Sequence, residues 1–229
     1  MAFIVKNTTF ISPLDLIAPH TCQGCKAIGD SLCKKCKNYI IKSKYNFCPN
    51  CKKPITTHKC PRCTSLPPIY VVGNRQGLLS TIIHNYKYDS NRSLARPLAE
   101  LLFERLPKID GQAIIVPLPT TASHIRQRGF DHTLLLAKHL AQISHCQVQP
   151  LLLRVRDTTQ VGTDKITRIN QANNAYTINP KLIISPEATY IILDDVWTTG
   201  ASMKAATKIV QQAGAKHIII GILAVSQLD

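Results

Sequence analysis

Nowhere does the chain hold an apolar run near the roughly 18–20 residues that a membrane-crossing helix needs, so none is expected. Its start, Met1-Ala2-Phe3-Ile4-Val5-Lys6, lacks the basic end and long apolar core of a secretory signal, and the expected location is the cytosol. Neither Gly-x-x-x-x-Gly-Lys-Ser/Thr nor Gly-x-Gly-x-x-Gly occurs, which excludes a Walker A loop and a dinucleotide fingerprint. Acids are scarce: 13 Asp and Glu face 28 Lys and Arg, a formal net charge of +15. A cationic chain of this kind suits a polyanion partner, nucleic acid first and an acidic membrane surface second. Only one cysteine, Cys146, lies outside residues 22–63, and it reads as a small buried apolar side chain. With 229 residues, 45% hydrophobic and 18% charged, the chain is long and apolar enough for one α/β core plus a small appendage.

The charge is uneven. Residues 20–66 carry ten Lys and Arg and one acid, Asp30, whereas residues 67–229 carry seventeen and eleven. Within the basic segment, eight cysteines form four Cys-x-x-Cys pairs: Cys22/Cys25, Cys33/Cys36, Cys48/Cys51 and Cys60/Cys63. Each pair can set two thiolates on one side of a tight knuckle, and two knuckles complete the tetrahedral sulfur shell that Zn²⁺ prefers. One or two zinc sites are expected, with adjacent or interleaved pairing both open. Metal would supply most of this segment's folding energy, because it has few large apolar residues. Tyr39, Tyr45 and Phe47 lie among lysines that include Lys42, Lys44, Lys52 and Lys53, a mixture that suits unpaired bases and their phosphates, or else a small aromatic core. Pro67-Pro68 marks the boundary, giving a zinc-ribbon module over 1–66 and an α/β domain over 67–229.

Beyond the boundary, Leu78, Leu79, Ile82, Ile83 and Tyr86 are spaced for one helix face, and Leu94, Leu98, Leu101 and Leu102 for another. Ala113-Ile114-Ile115-Val116 reads as a central strand. Pro117-Leu118-Pro119-Thr120-Thr121-Ala122-Ser123 follows it as a polar loop, with Arg126 and Arg128 beyond as partners for a diphosphate. Leu135, Leu136, Leu140 and Ile143 mark a helix, and Leu151 to Val155 a strand. Arg156 to Gly162 is a candidate flap, and Asp164 to Ala172 a helix carrying Arg168 and Asn170.

The stretch Tyr190-Ile191-Ile192-Leu193-Asp194-Asp195-Val196-Trp197-Thr198-Thr199-Gly200-Ala201-Ser202 organises the rest. It reads as a doubly buried strand, an acidic turn and a hydroxyl-rich loop. A helix with Met203, Ala206, Ile209, Val210 and Ala213 inward follows, then a strand from His217 to Val225, the whole a parallel βαβ unit. A phosphate fits at Thr198–Ser202, where a helix N-terminus offers free N–H groups. The two carboxylates would face a neutral diol. Together they imply a ribose 5-phosphate unit.

The quoted stretch resembles the phosphoribosyl diphosphate (PRPP) signature of type I phosphoribosyltransferases. Joined to the Cys-x-x-Cys knuckles, Val116-Pro117-Leu118-Pro119, Arg126-Gln127-Arg128-Gly129-Phe130-Asp131-His132, Arg154 to Gln160 and Arg168-Ile169-Asn170, it resembles the competence protein ComF (ComFC) family over roughly residues 14–225. That resemblance implies a phosphoribosyltransferase-like parallel sheet flanked by helices behind an N-terminal zinc module. It also implies PRPP with Mg²⁺, Asp194 and Asp195 on the ribose hydroxyls, Thr198–Ser202 on the 5-phosphate, and Pro117–Ser123 on the diphosphate. It further implies a role in natural transformation with incoming single-stranded DNA in the cytoplasm. The chain departs from the family at Asp157, where a lysine often stands; an aspartate there would repel a diphosphate. Glutamine-dependent chemistry is not expected, because the start offers no N-terminal cysteine nucleophile. Three functions follow: a nucleic-acid-binding protein with PRPP as ligand, a phosphoribosyltransferase with an unidentified acceptor, and a zinc-ribbon scaffold for DNA-uptake proteins.

Overall fold

The computed structural model describes residues 20–89, 91–155 and 175–226. The apolar cluster Phe10, Leu14, Leu16 and Ile17, the flap from Arg156 with Asp157, and the helix of Arg168 and Asn170 lie outside the described residues.

Among the described residues five strands make the main sheet: β1 (Ile69–Asn74), β2 (Ala113–Pro117), β3 (Gln147–Val148), β6 (Thr189–Trp197) and β7 (His217–Val225). Their order is β1-β7-β6-β2-β3 and every pairing is parallel. The helices are α1 (Lys34–Lys42), α2 (Gly77–Tyr88), α3 (Ala95–Phe103), α4 (Ala122–Arg128), α5 (His132–Ser144) and α6 (Ala201–Gln212). This is the expected parallel-sheet α/β class with flanking helices. Strand β6 shows why its sequence is apolar on both sides. Ile191 and Leu193 face one core, with Leu79, Ile82, Leu98 and Leu136. Tyr190 and Ile192 face the other, with Met203, Ala206 and Val210 of α6. Period-2 alternation cannot appear where both faces are covered.

Two expectations change, and one predicted strand finds its place. Where an acidic turn is expected, β6 runs on through Asp194 and Asp195 to Trp197. The loop after β2 winds into helix α4, because Thr121 caps it by accepting from the His124 N–H at 3.3 Å and Gly129, at φ 73°, ends it. The strand predicted over Leu151 to Val155 is β4 (Leu152–Arg154). It pairs antiparallel with β5 (Tyr176–Ile178) in a separate ribbon, outside the main sheet.

Because all five main strands run the same way, their carboxyl ends share one edge. Asn74 pairs with Val225 there, and Val225 with Trp197. Ligands bind at that edge in open α/β sheets.

The cysteine-rich segment is not a free appendage. Cys22, Leu32, Cys36 and Ile40 belong to the same core cluster as α2 and α3. Lys37 pairs with Glu100 at 2.6 Å, and Arg105 donates to the Ile41 and Ser43 carbonyls at the end of α1. Since Leu32 is fully buried in this shared core, Leu32→Ala should destabilise the whole chain by about 2–5 kcal/mol. Urea unfolding followed by Trp197 fluorescence checks this. An unchanged Trp197 transition would mean that the knuckle unfolds on its own.

Candidate functional site

The eight thiols gather into two groups, Cys22, Cys25, Cys33, Cys36 and Cys48, Cys51, Cys60, Cys63, with all four sulfurs of each within 4.8 Å of one another. Pairing is therefore adjacent. Cys25 and Cys33 sulfurs are 3.6 Å apart, Cys51 and Cys60 3.7 Å, and Cys48 and Cys63 3.9 Å. A tetrahedron with Zn–S bonds of about 2.3 Å has sulfur–sulfur edges of about 3.8 Å, whereas a disulfide is about 2.05 Å. Both groups can hold zinc. Their backbones repeat as well. Lys26 and Lys52 each follow the first Cys-x-x-Cys of a group, take φ of 62° and 58°, and donate to the carbonyls of Cys22 and Cys48. Each left-handed lysine turns the chain so that its knuckle closes.

The second feature is a cleft of ≈ 90 Å³ beyond the carboxyl end of β6, lined by Asp194, Val196, the loop Thr198–Gly200 and the start of α6. Gly200 has φ 74°, and a Cβ there would lie 2.1 Å from the Trp197 ring. Only glycine lets the loop fold over that indole. Trp197 is 2% exposed and supports the loop from below. Gly200 gives α6 no side-chain cap, and the first turn has no acid, so the leading N–H groups after Ala201 are open to an anion. Thr199 Oγ1 accepts from the Ala201 N–H at 3.3 Å. Ala201 and Ser202 complete the cradle.

The two carboxyls part company. Asp195 is 3% exposed; its Oδ2 lies 2.7 Å from Lys87 Nζ and 2.8 Å from His132 Nε2. Arg128 Nη1 sits 2.9 Å from His132 Nδ1. A guanidinium only donates, so Nδ1 accepts and Nε2–H donates to Asp195. The Tyr86 hydroxyl fixes this turn by donating to the His132 carbonyl at 2.6 Å. Burial works to raise the Asp195 carboxyl, but the His132 hydrogen bond and the Lys87 charge overcome it and hold Asp195 well below the usual carboxylate range. Asp194, which lines the cleft and accepts from the Asp195 N–H at 2.8 Å, is pushed up to about 8 by burial and then by the Asp195 charge. Proton affinity within the pair is thus uneven, high at Asp194 and low at Asp195. The expected pair of alike accepting carboxylates is instead one buried anion and one carboxyl that takes up a proton far more readily.

Among the other predicted positions, Pro117, Leu118, Pro119 and Thr120 lie beside β6. The Leu118 N–H donates to the Leu193 carbonyl at 2.9 Å, and Thr120 Oγ1 donates to Asp131 at 2.9 Å. Arg126 is exposed, whereas Arg128 is buried and lies over the Tyr88 ring at 5.3 Å. Lys42, Lys44, Lys52 and Lys53 are exposed. Lys87 and His132 were not singled out. The signal was present in Tyr86-Lys87-Tyr88 and in the Arg128 to His132 run, but nothing in local spacing says that two segments 45 residues apart meet at Asp195.

No family model matches the chain. Among characterised proteins it is similar to competence protein F of Haemophilus influenzae, 25% identical over 211 residues, covering 85% of this chain and 90% of the relative. It is 22% identical to competence protein ComFC of Streptococcus pneumoniae, over 82% of this chain and 84% of the relative. It is 24% identical to competence protein ComFC of Bacillus subtilis, over 81% of this chain and 80% of the relative. Among solved structures, the allosteric regulatory enzyme of purine biosynthesis matches 61% of this chain at 12% identity and TM-score 0.44. A hypoxanthine phosphoribosyltransferase from Staphylococcus aureus matches 61% at 14% identity and TM-score 0.34. The matched region spans 29% and 65% of those two chains.

Two outcomes follow from this geometry. Metal analysis should find two zinc ions per chain, and Cys25→Ser with Cys33→Ser should leave one. Asp194 has an ordinary value of 3.8 and a folded value of about 8. Between these the folded chain keeps a proton that the unfolded chain has lost, so stability falls as pH rises through that window. Thermal melts from about pH 5 to about pH 9 should show this decline in the wild type and a flatter profile in Asp194→Asn, with the variant more stable at the alkaline end.

Proposed function

We propose that this chain, similar over most of its length to competence proteins of the ComF (ComFC) family, binds phosphoribosyl diphosphate with magnesium and handles single-stranded DNA in the cytoplasm during natural transformation. The observation that carries the ligand is the single cleft shared by Asp194, the Thr198–Gly200 loop and the uncapped start of α6. The loop and helix start suit a 5-phosphate, and Asp194 suits the ribose hydroxyls. Thr120 and Arg126, from the segment after β2, would meet the diphosphate. Asp195 acts from below as the buried anion that holds Lys87 and His132 at the edge of the site. Magnesium suits this ligand because it binds chiefly through phosphate oxygens and needs few carboxylates from the protein; Asp194 would be the carboxyl to complete its shell.

The DNA half of the proposal rests on charge. Lys42, Lys44, Lys52 and Lys53 project from the two knuckles into solvent. The partners are single-stranded DNA and proteins of the DNA-uptake machinery. We read PRPP as a bound effector, because the hydroxyls and backbone of Thr198–Ser202 suit phosphate and Asp194, the carboxyl lining the cleft, suits the ribose hydroxyls.

Calorimetric titration with PRPP·Mg²⁺ tests this. Thr199→Ala and Ser202→Ala should each weaken binding about tenfold, since each removes one hydrogen bond to a charged group, while single-strand affinity and melting temperature stay as in the wild type. Absence of binding to the wild type overturns the proposal. Steady diphosphate release with an added acceptor would convert it to a phosphoribosyltransferase.

A further inference from the structure

A groove of ≈ 590 Å³ runs between the first knuckle's helix α1 and the β1–α2 junction, lined among others by Tyr39, Lys42, Asn74, Gln76, Gly77 and Leu78. It is distinct from the phosphate cleft but opens at the same edge of the sheet. Asn74 is two strands from Trp197, through Val225, and two strand spacings amount to about 10 Å. We propose that this groove seats a nucleotide of the single strand, with its base on Tyr39 and its phosphate held by Lys42.

Four observations support the assignment. Tyr39 is 70% exposed although it stands on a helix whose Cys36 and Ile40 are buried, so its ring offers solvent a stacking surface. Lys42, in the last turn of the same helix, brings a cation to the groove, and none of the residues lining it is acidic. The groove lies within the range of about 300–1,000 Å³ typical of small-ligand sites. Its floor mixes the apolar Leu78 with the amide side chains of Asn74 and Gln76, which can meet a base edge. The start of α2 at Gly77, with no acid in its first turn and no side-chain cap, adds a favourable dipole for the phosphate.

The proposal also separates the basic residues. Lys42 belongs to the groove. Lys52 leans the other way, donating to the Ser226 carbonyl at 3.4 Å beyond β7. A strand seated at Tyr39 therefore depends on the first knuckle, not on the lysines of the second.

This inference rests on the single-strand reading above, and its test keeps the two apart. Zinc-loaded full-length protein is titrated with fluorescein-labelled oligothymidine over a range of salt. Tyr39→Ala should lose about tenfold or more in affinity with an unchanged salt slope, and Tyr39→Phe should retain binding, because stacking needs a ring but not a hydroxyl. Lys42→Gln should reduce the log–log salt slope by about 0.7, one phosphate contact. Lys52→Gln with Lys53→Gln should keep the Tyr39 dependence, and PRPP·Mg²⁺ binding should be unchanged in Tyr39→Ala. Iodouracil photocrosslinking should place the adduct on the peptide that carries Tyr39. If the wild type binds the strand but Tyr39→Ala and Lys42→Gln bind it equally well, or the adduct maps only to the second knuckle, the groove assignment is wrong and the single-strand reading stands. If the wild type binds no strand, both fall.

Discussion

A carboxylate ionised where burial opposes charge is the constraint behind this site. Asp195 has almost no contact with water, and an isolated anion there would take up a proton. It stays charged because Lys87 and His132 converge on one of its oxygens, and they converge because α2, the α4–α5 turn and β6 are packed together. Breaking such a pair from one side is far costlier than never having made it, since the remaining charge is left buried and alone. The network therefore ties three elements at the carboxyl edge of the sheet and fixes that edge's shape. It also biases the neighbour: the Asp195 charge adds to burial in raising the proton affinity of Asp194, beside a helix start that attracts anions.

The metal groups act at the other end of the hierarchy. Residues 20–66 have too few large apolar side chains to fold alone, yet Leu32 and Ile40 are buried with α2 and α3. The two four-cysteine groups can hold zinc, which would supply the missing cross-links. The main core then supplies a surface for the first of them to rest on. Ion pairing of Lys37 with Glu100, and Arg105 closing the end of α1, orient that helix so that Tyr39 and Lys42 face the groove. The knuckle thus contributes to the ligand-binding edge as well as to stability.

What could be read from sequence was whatever depends on neighbours a few residues away. The apolar strand at Tyr190–Leu193, the helix after Ser202 and the strand from His217 to Val225 follow from short-range pattern, and β7 begins and ends where that pattern does, whereas β6 runs on to Trp197 through the expected acidic turn. Knuckle spacing gave zinc chemistry but left pairing open, because Cys-x-x-Cys fixes two ligands and only the chain path fixes the other two. The strand at β4 was legible but its partner β5 and its separate ribbon were not, since a three-residue stretch does not reveal which sheet it joins. Arg128 looked like a surface partner for diphosphate, and it is buried against His132 and Tyr88. An arginine in a polar run reads as exposed unless its long-range contacts are known. Lys87 and His132 escaped notice for the same reason.

Charge at the knuckles needs the same long-range view. Four thiolates on a divalent ion leave each centre with two negative charges, which reduces the surplus of the basic segment without reversing it. The backbone absorbs part of that negative charge: the Gly24 and Cys33 N–H groups both point at the Cys22 sulfur, at 3.4 and 3.3 Å. Cys22 is fully buried, while Lys42, Lys44, Lys52 and Lys53 stand in solvent. Half of the knuckle cysteines, Cys22, Cys36, Cys48 and Cys60, are thus recessed and the lysines stand in solvent around them, so an approaching polyanion meets the lysines first. Screening over about 8 Å at physiological ionic strength sharpens that difference, because a recessed charge is felt less than one at the surface. A segment whose metal chemistry is anionic can in this way present a cationic face.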